Sequence, residues 1–105
     1  MDANTHPMDR DEVLNRLRRH QPALRALGVR HLSLFGSLAR LEARADSDVD
    51  VLLDIDPATP VSLLGIVRIQ NDLSRLLGRP VDVAEAAAMK SEMRERVLRE
   101  AVGVF

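Results

Sequence analysis

The chain has 105 residues, carries 15 Lys and Arg against 16 Asp and Glu for a net charge of −1, and contains no cysteine. That length predicts a single domain over residues 1–105, with one core and no second unit to read a substrate. Disulfides, thiolate metal sites and a general electrostatic pull toward nucleic acid are excluded, and no apolar stretch approaches the ~20 residues of a membrane span, so a cytoplasmic protein without a membrane partner is expected.

Residues 1–8 read as a loose lead-in. Asp9 is placed to cap a helix over residues 10–20, with Glu12 three positions on and Val13, Leu14 and Leu17 at helical spacing. Pro22 opens a second short helix through Leu24 and Leu27 that stops at Gly28. Residues 29–35 alternate in part, Leu32 and Leu34 against Ser33, which predicts a strand. Gly36 and Ser37 break it, and a helix is expected to start over residues 38–42. Val49, Val51, Leu53 and Ile55 then alternate with Asp48, Asp50, Leu52 and Asp54 as a second strand, and Pro57 and Pro60 bracket a turn. A long helix follows over residues 61–77, with Leu63, Ile66, Val67, Leu73, Leu76 and Leu77 as its apolar stripe and Gly78 as its stop. Residues 81–83 make a third short strand. Residues 89–102 make a last helix with Met89, Met93, Val97 and Ala101 in register as core side chains. Val102, Val104 and Phe105 form an apolar tail that either folds onto the core or docks a partner. This order places a small sheet against helices, an α/β architecture.

The informative stretch is Leu34-Phe35-Gly36-Ser37-Leu38-Ala39-Arg40, followed by Ser47-Asp48-Val49-Asp50-Val51. Side chains two apart on a strand share a face, about 6.5–7 Å between Cα atoms. Asp48 and Asp50 therefore converge on one patch while Val49 and Val51 face the core. Asp-x-Asp alone is weak, since the chain contains it four times. What sets Asp48 and Asp50 apart is their place in an apolar strand, where an unpaired charge is costly. Asp82, between Val81 and Val83, offers a third carboxylate in the same way. Its bland alternative is a cap or a pair with a neighbour such as Arg79. Three carboxylates on one face repel each other unless a cation joins them, and two Mg²⁺ ions ~3.5–4 Å apart would use such a set. Gly36-Ser37 ends a strand and opens a helix, so backbone N–H groups and the Ser37 hydroxyl could face a phosphate, with Arg40 a turn further on. The alternative is an ordinary strand-to-helix turn. Asp54 shares parity with Asp50 but lies about 13 Å along the strand, outside the patch. His6, His20 and His31 are too scattered for a metal triad.

Gly36-Ser37, ten intervening residues, then Asp48-x-Asp50 resembles the signature of the DNA polymerase β-like nucleotidyltransferase superfamily. Within it, Phe-Gly-Ser-x-Ala-Arg before Ser-Asp-x-Asp, with Val-Asp-Val further on, is similar to the minimal nucleotidyltransferase (MntA-like) antitoxin group. The resemblance implies a small mixed sheet packed with helices. It also implies a Gly36-Ser37 turn that holds nucleotide phosphates, and Asp48, Asp50 and Asp82 as ligands of Mg²⁺ with ATP as substrate. It further implies a HEPN-type toxin as partner, silenced by adenylylation of a tyrosine. Leu41 departs from the pattern, standing where the group commonly has Gly, and Gly103 stands where a larger residue often ends the last helix.

Three readings of function follow: a Mg²⁺-dependent transferase moving AMP to a partner protein, a non-catalytic module that neutralises a partner by occlusion, and a small-molecule transferase. The last usually carries an additional helical domain. Phe35 and Phe105 are the only aromatic residues, too few for a base-stacking platform, so sequence-specific nucleic-acid binding is not expected. Homo-oligomerisation is left open.

Overall fold

A computed structural model describes residues 9–41, 48–59 and 61–105. The expectations for residues 1–8, for Asp46 and Ser47 and for Pro60 lie outside the described residues. The elements are α1 (Arg10–Arg19), α2 (Gln21–Ala26), β1 (Val29–Phe35), α3 (Gly36–Ala39), β2 (Val49–Ile55), α4 (Leu63–Leu77), β3 (Val81–Glu85), a 3₁₀ turn (Ala86–Ala88), α5 (Ser91–Glu100) and β4 (Val102–Gly103).

Helix α1 starts because the Asp9 carboxylate accepts the Glu12 N–H at 2.9 Å, and it ends with Arg16, Arg18 and Arg19 against its negative pole. Glu12 does not return the bond to Asp9; its carboxylate accepts from Arg16 instead, at 3.0 Å. Helix α4 starts at Ser62, whose hydroxyl accepts the Gly65 N–H at 3.1 Å, and stops at Gly78, which takes a left-handed φ of 65°.

The strands form one mixed sheet in the order β3-β2-β1-β4. β1 runs antiparallel to both β2 and β4, whereas β2 and β3 are parallel and joined through α4. Register sorts the side chains by parity. Leu32 pairs Leu53 and Leu34 pairs Val51, all fully buried on one face, where Val13 and Leu17 of α1, Leu24 of α2 and Ile69, Leu73 and Leu77 of α4 complete the core. The opposite face carries Ser33, Phe35, Asp50, Leu52, Asp54 and Asp82. Helix α5 lies over it and buries Val97.

Three sequence expectations are corrected. Of the stripe expected on α4, Leu73 and Leu77 are buried together with Ile69, and Ile66 and Leu76 pack partly buried against the core, while Leu63 is 79 % exposed and Val67 44 %. The last helix ends at Glu100, and Met93, expected in the core, is 54 % exposed. Residues beyond it form β4, in which Ser33 pairs Gly103 and Leu34 pairs Val102. The apolar tail folds onto the core: the Val104 N–H donates to the Leu32 carbonyl at 2.8 Å, Arg18 Nε donates to the Val104 carbonyl at 3.0 Å, and the Arg25 guanidinium sits over the Phe105 ring. Of the helix expected to start over residues 38–42, the described residues show one turn, Gly36–Ala39, and residue 42 lies outside them.

Candidate active site

Asp48 immediately precedes β2 and is exposed, while Val49 and Val51 are fully buried, as parity requires. Asp50 is half-buried, and its neighbours across the sheet in direct register are Phe35 on β1 and Asp82 on β3. Directly paired residues project from the same face. The structure therefore brings the Asp50 and Asp82 carboxylates side by side, with Asp48 one step along the strand. The electrostatics agree. Burial holds the Asp50 carboxyl above its ordinary range, the Asp82 and then the Asp48 carboxylates push it further, and Arg40 opposes them. Among the described residues, no three His, Asp or Glu side chains enclose a cation site by themselves.

The turn after β1 abuts this cluster. Gly36 has φ 74°, and a Cβ there would collide with the Asp50 carboxylate, its Cγ only 3.2 Å away. The residue is thus required by the acid's position as well as by its own backbone. Ser37 is the second residue of the single turn of α3, and the Arg10 guanidinium caps the far end by donating to the Ala39 carbonyl at 3.1 Å. Arg40 follows, its guanidinium 3.2 Å from the Glu100 carboxylate of α5. Asp54 lies down the same face, paired through both oxygens with Arg30 at 3.0 and 3.1 Å, which accounts for it outside the acid cluster.

Sequence reasoning missed the residues that hold these parts still. The N–H groups on either side of Asp82 point away from the sheet, and α4 takes both: Ser74 Oγ accepts from Val81 at 3.1 Å and Gln70 Oε1 from Val83 at 3.2 Å. The Val49 N–H donates to the Pro80 carbonyl at 2.9 Å, locking the start of β2 to the start of β3. Ser74 and Gln70 stand four apart on one helix flank, the only sequence trace of this role. Glu100 lies 60 positions from Arg40, and no spacing rule would join them.

The sequence pattern of the nucleotidyltransferase domain family matches residues 10–104. The chain belongs to that family. This nucleotidyltransferase is similar to the protein adenylyltransferase MntA of Thermococcus cleftensis, with 40 % identity over 90 % of this chain and 94 % of the relative. It is also similar to a candidate protein adenylyltransferase of Methanocaldococcus jannaschii, 38 % identical over 80 % and 88 % of the two chains. Among solved structures, one of a candidate minimal nucleotidyltransferase superposes with a TM-score of 0.74 at 38 % identity, covering 90 % of this chain and 95 % of that one. A chain from a tri-AMPylated Shewanella oneidensis HEPN toxin in complex with its MNT antitoxin shares the fold, with a TM-score of 0.67 at 15 % identity over 91 % and 71 % of the chains.

The Leu41 departure has a physical cost in this nucleotidyltransferase. Leu41 is the one non-glycine with a positive φ, 62°, among the described residues, and it is 70 % exposed. A left-handed conformation costs an L-residue roughly 1–2 kcal/mol, and a side chain this exposed buries little surface to offset it. Gly103, the other departure, sits in β4 opposite Ser33 rather than at a helix end.

Proposed function

We propose that this nucleotidyltransferase moves AMP from ATP onto a tyrosyl hydroxyl of a HEPN-type toxin and so acts, in the cytoplasm, as the antitoxin of the pair. The observation that carries the reading is the register of Asp50 against Asp82, with Asp48 beside them and the Gly36 turn in contact. Three mutually repelling carboxylates, one already pushed toward its protonated form, fit a divalent cation. Asp48, Asp50 and Asp82 would hold Mg²⁺, which supplies charge neutralisation at the phosphates and polarisation of the attacking hydroxyl. Because the acids do not enclose a site alone, phosphate oxygens and water complete the ligand set, as Mg²⁺ prefers.

The chain's own groups do the rest. The backbone of Gly36-Ser37 and the Ser37 hydroxyl cradle the outer phosphates. Arg40, braced by Glu100, adds positive charge there. In-line attack at the α-phosphate forms the new P–O bond as the bond to pyrophosphate breaks, and Asp82, on the edge strand, accepts the hydroxyl proton. The chain has no tyrosine, so a tyrosyl acceptor belongs to another protein.

Incubation with labelled ATP and Mg²⁺, with and without the product of the neighbouring gene, tests this. Label is expected on a tyrosine of that product by mass spectrometry, with negligible label on this chain. Asp50→Asn is expected to cut transfer by about a thousandfold or more while the protein stays folded. A partner silenced equally well by Asp50→Asn, without label, would show that neutralisation is by occlusion.

A further inference from the structure

We propose that Gln70 and Ser74 of α4 are positioning residues for Asp82, fixing the carboxylate of an edge strand where a cation shared with Asp50 needs it; this rests on the transferase reading above. The sheet holds the two acids differently. Asp50 lies on β2, which is bonded to β1 on one side and to β3 on the other. Asp82 lies on β3, the border strand, whose five residues pair with β2 alone. The twist between neighbouring strands ranges over roughly 10–35°, and a strand paired on one side only is free to use that range. Turning β3 about its axis would swing the exposed Asp82 carboxylate past Asp50. A misplacement of about 1 Å at a reacting group can cost about a hundredfold in rate.

Helix α4 removes that freedom. The Val81 N–H donates to Ser74 Oγ and the Val83 N–H to Gln70 Oε1, so one anchor stands on either side of Asp82. Two anchors straddling one residue fix its rotation about the strand as well as its place along it; a single anchor would leave the rotation open. Both bonds act on the backbone rather than on the carboxylate, so they set where the acid stands without altering its charge. Helix formation does not account for Ser74. Serine is a poorer helix former than alanine, and its hydroxyl commonly turns back on its own helix, whereas here it is given to the strand. Groups that orient a metal ligand without touching the metal are worth about 10–100-fold in affinity or activity.

Mn²⁺ binding to the whole chain, followed through the electron spin resonance signal of the free ion, tests this. Ser74→Ala and Gln70→Met remove the two acceptors with good helix formers. Each is expected to weaken Mn²⁺ binding about threefold, and the pair together about tenfold or more. Ser74→Thr keeps the hydroxyl and should stay within about twofold of wild type. On an Asp82→Asn background the same substitutions should change Mn²⁺ affinity less than about twofold, because the carboxylate they place is gone. A double variant that binds Mn²⁺ as wild type does overturns the proposal. So does an equal loss with and without the Asp82 carboxylate, which would mean a general loosening of the sheet. If circular dichroism shows the double variant unfolded, Ser74→Ala against Ser74→Thr decides alone. Asp82→Asn that binds Mn²⁺ as tightly as wild type would sink the metal assignment itself, a distinct failure.

Discussion

On one face of the sheet Leu32, Leu34, Val51 and Leu53 are fully buried beneath α1 and α4; on the other, one residue along each strand, Leu52 is buried but Ser33, Phe35, Asp50 and Asp54 are only partly covered. The same two strands build both surfaces, and period-two alternation keeps them apart. Helix α4 commits Ile69, Leu73 and Leu77 to the core, whereas α5 commits Val97 alone. A chain this small cannot spread its core over both faces. It concentrates cohesion on one side and leaves the other free to carry charges that would otherwise oppose folding.

If that division is right, truncation should hurt very unequally on the two faces. Leu53→Ala removes a fully buried side chain, and a loss of about 2–5 kcal/mol is expected in urea melts. That is a large part of the roughly 5–15 kcal/mol that holds most domains folded. Ser33→Ala, paired on the other face, should stay within about 0.5 kcal/mol. Equal losses would mean that α5 seals a second core.

A smaller effect belongs to neither face. Leu41→Gly relieves the left-handed strain but frees the unfolded chain, so a net gain of about 0.5–1 kcal/mol is expected in the same melts. A loss would show that the exposed Leu41 side chain makes a contact worth more than the strain.

The smallest effect sharpens the electrostatic side of the comparison. Asp50 holds its proton more tightly folded than unfolded, so its ionisation costs stability. That cost is absent at low pH and sets in as pH rises from the ordinary carboxylate range through the raised value. In metal-free buffer Asp50→Asn should therefore melt higher than wild type at pH 7, and the advantage should vanish near pH 4, about where an ordinary Asp titrates. Because Asp50 is half-exposed, screening keeps the gain below about 1 kcal/mol, or roughly 4 °C. An advantage that persists at low pH would have a source other than charge.

What could be read from the sequence divides along similar lines. β1 was legible because Leu32 and Leu34 alternate with Ser33, and the acids of β2 because they interrupt such an alternation. The start of α4 misled because Leu63 and Val67 have helical spacing yet stand exposed; periodicity reports apolarity, and burial depends on what arrives opposite. β4 was invisible. A two-residue strand is defined by its partner, and Ser33 lies 70 positions from Gly103. That the acids share one face was legible from parity, but their register was not: the pairing of Asp50 with Asp82 depends on how β2 and β3 align across α4, and the Arg40–Glu100 pair on where α5 comes to rest.

The grip of α4 on β3 bears on how this molecule meets others. A sheet edge with free N–H groups invites a further strand, and that is how many proteins recruit peptides or polymerise. Here Ser74 and Gln70 already occupy the outward N–H groups of Val81 and Val83, and the opposite border is the two-residue β4. A visiting chain that tried to extend the sheet beside Asp82 would have to displace two hydrogen bonds before making its first. Recognition by edge-to-edge pairing is thereby discouraged next to the acids, and contact through helices or across the open face is left as the cheaper route.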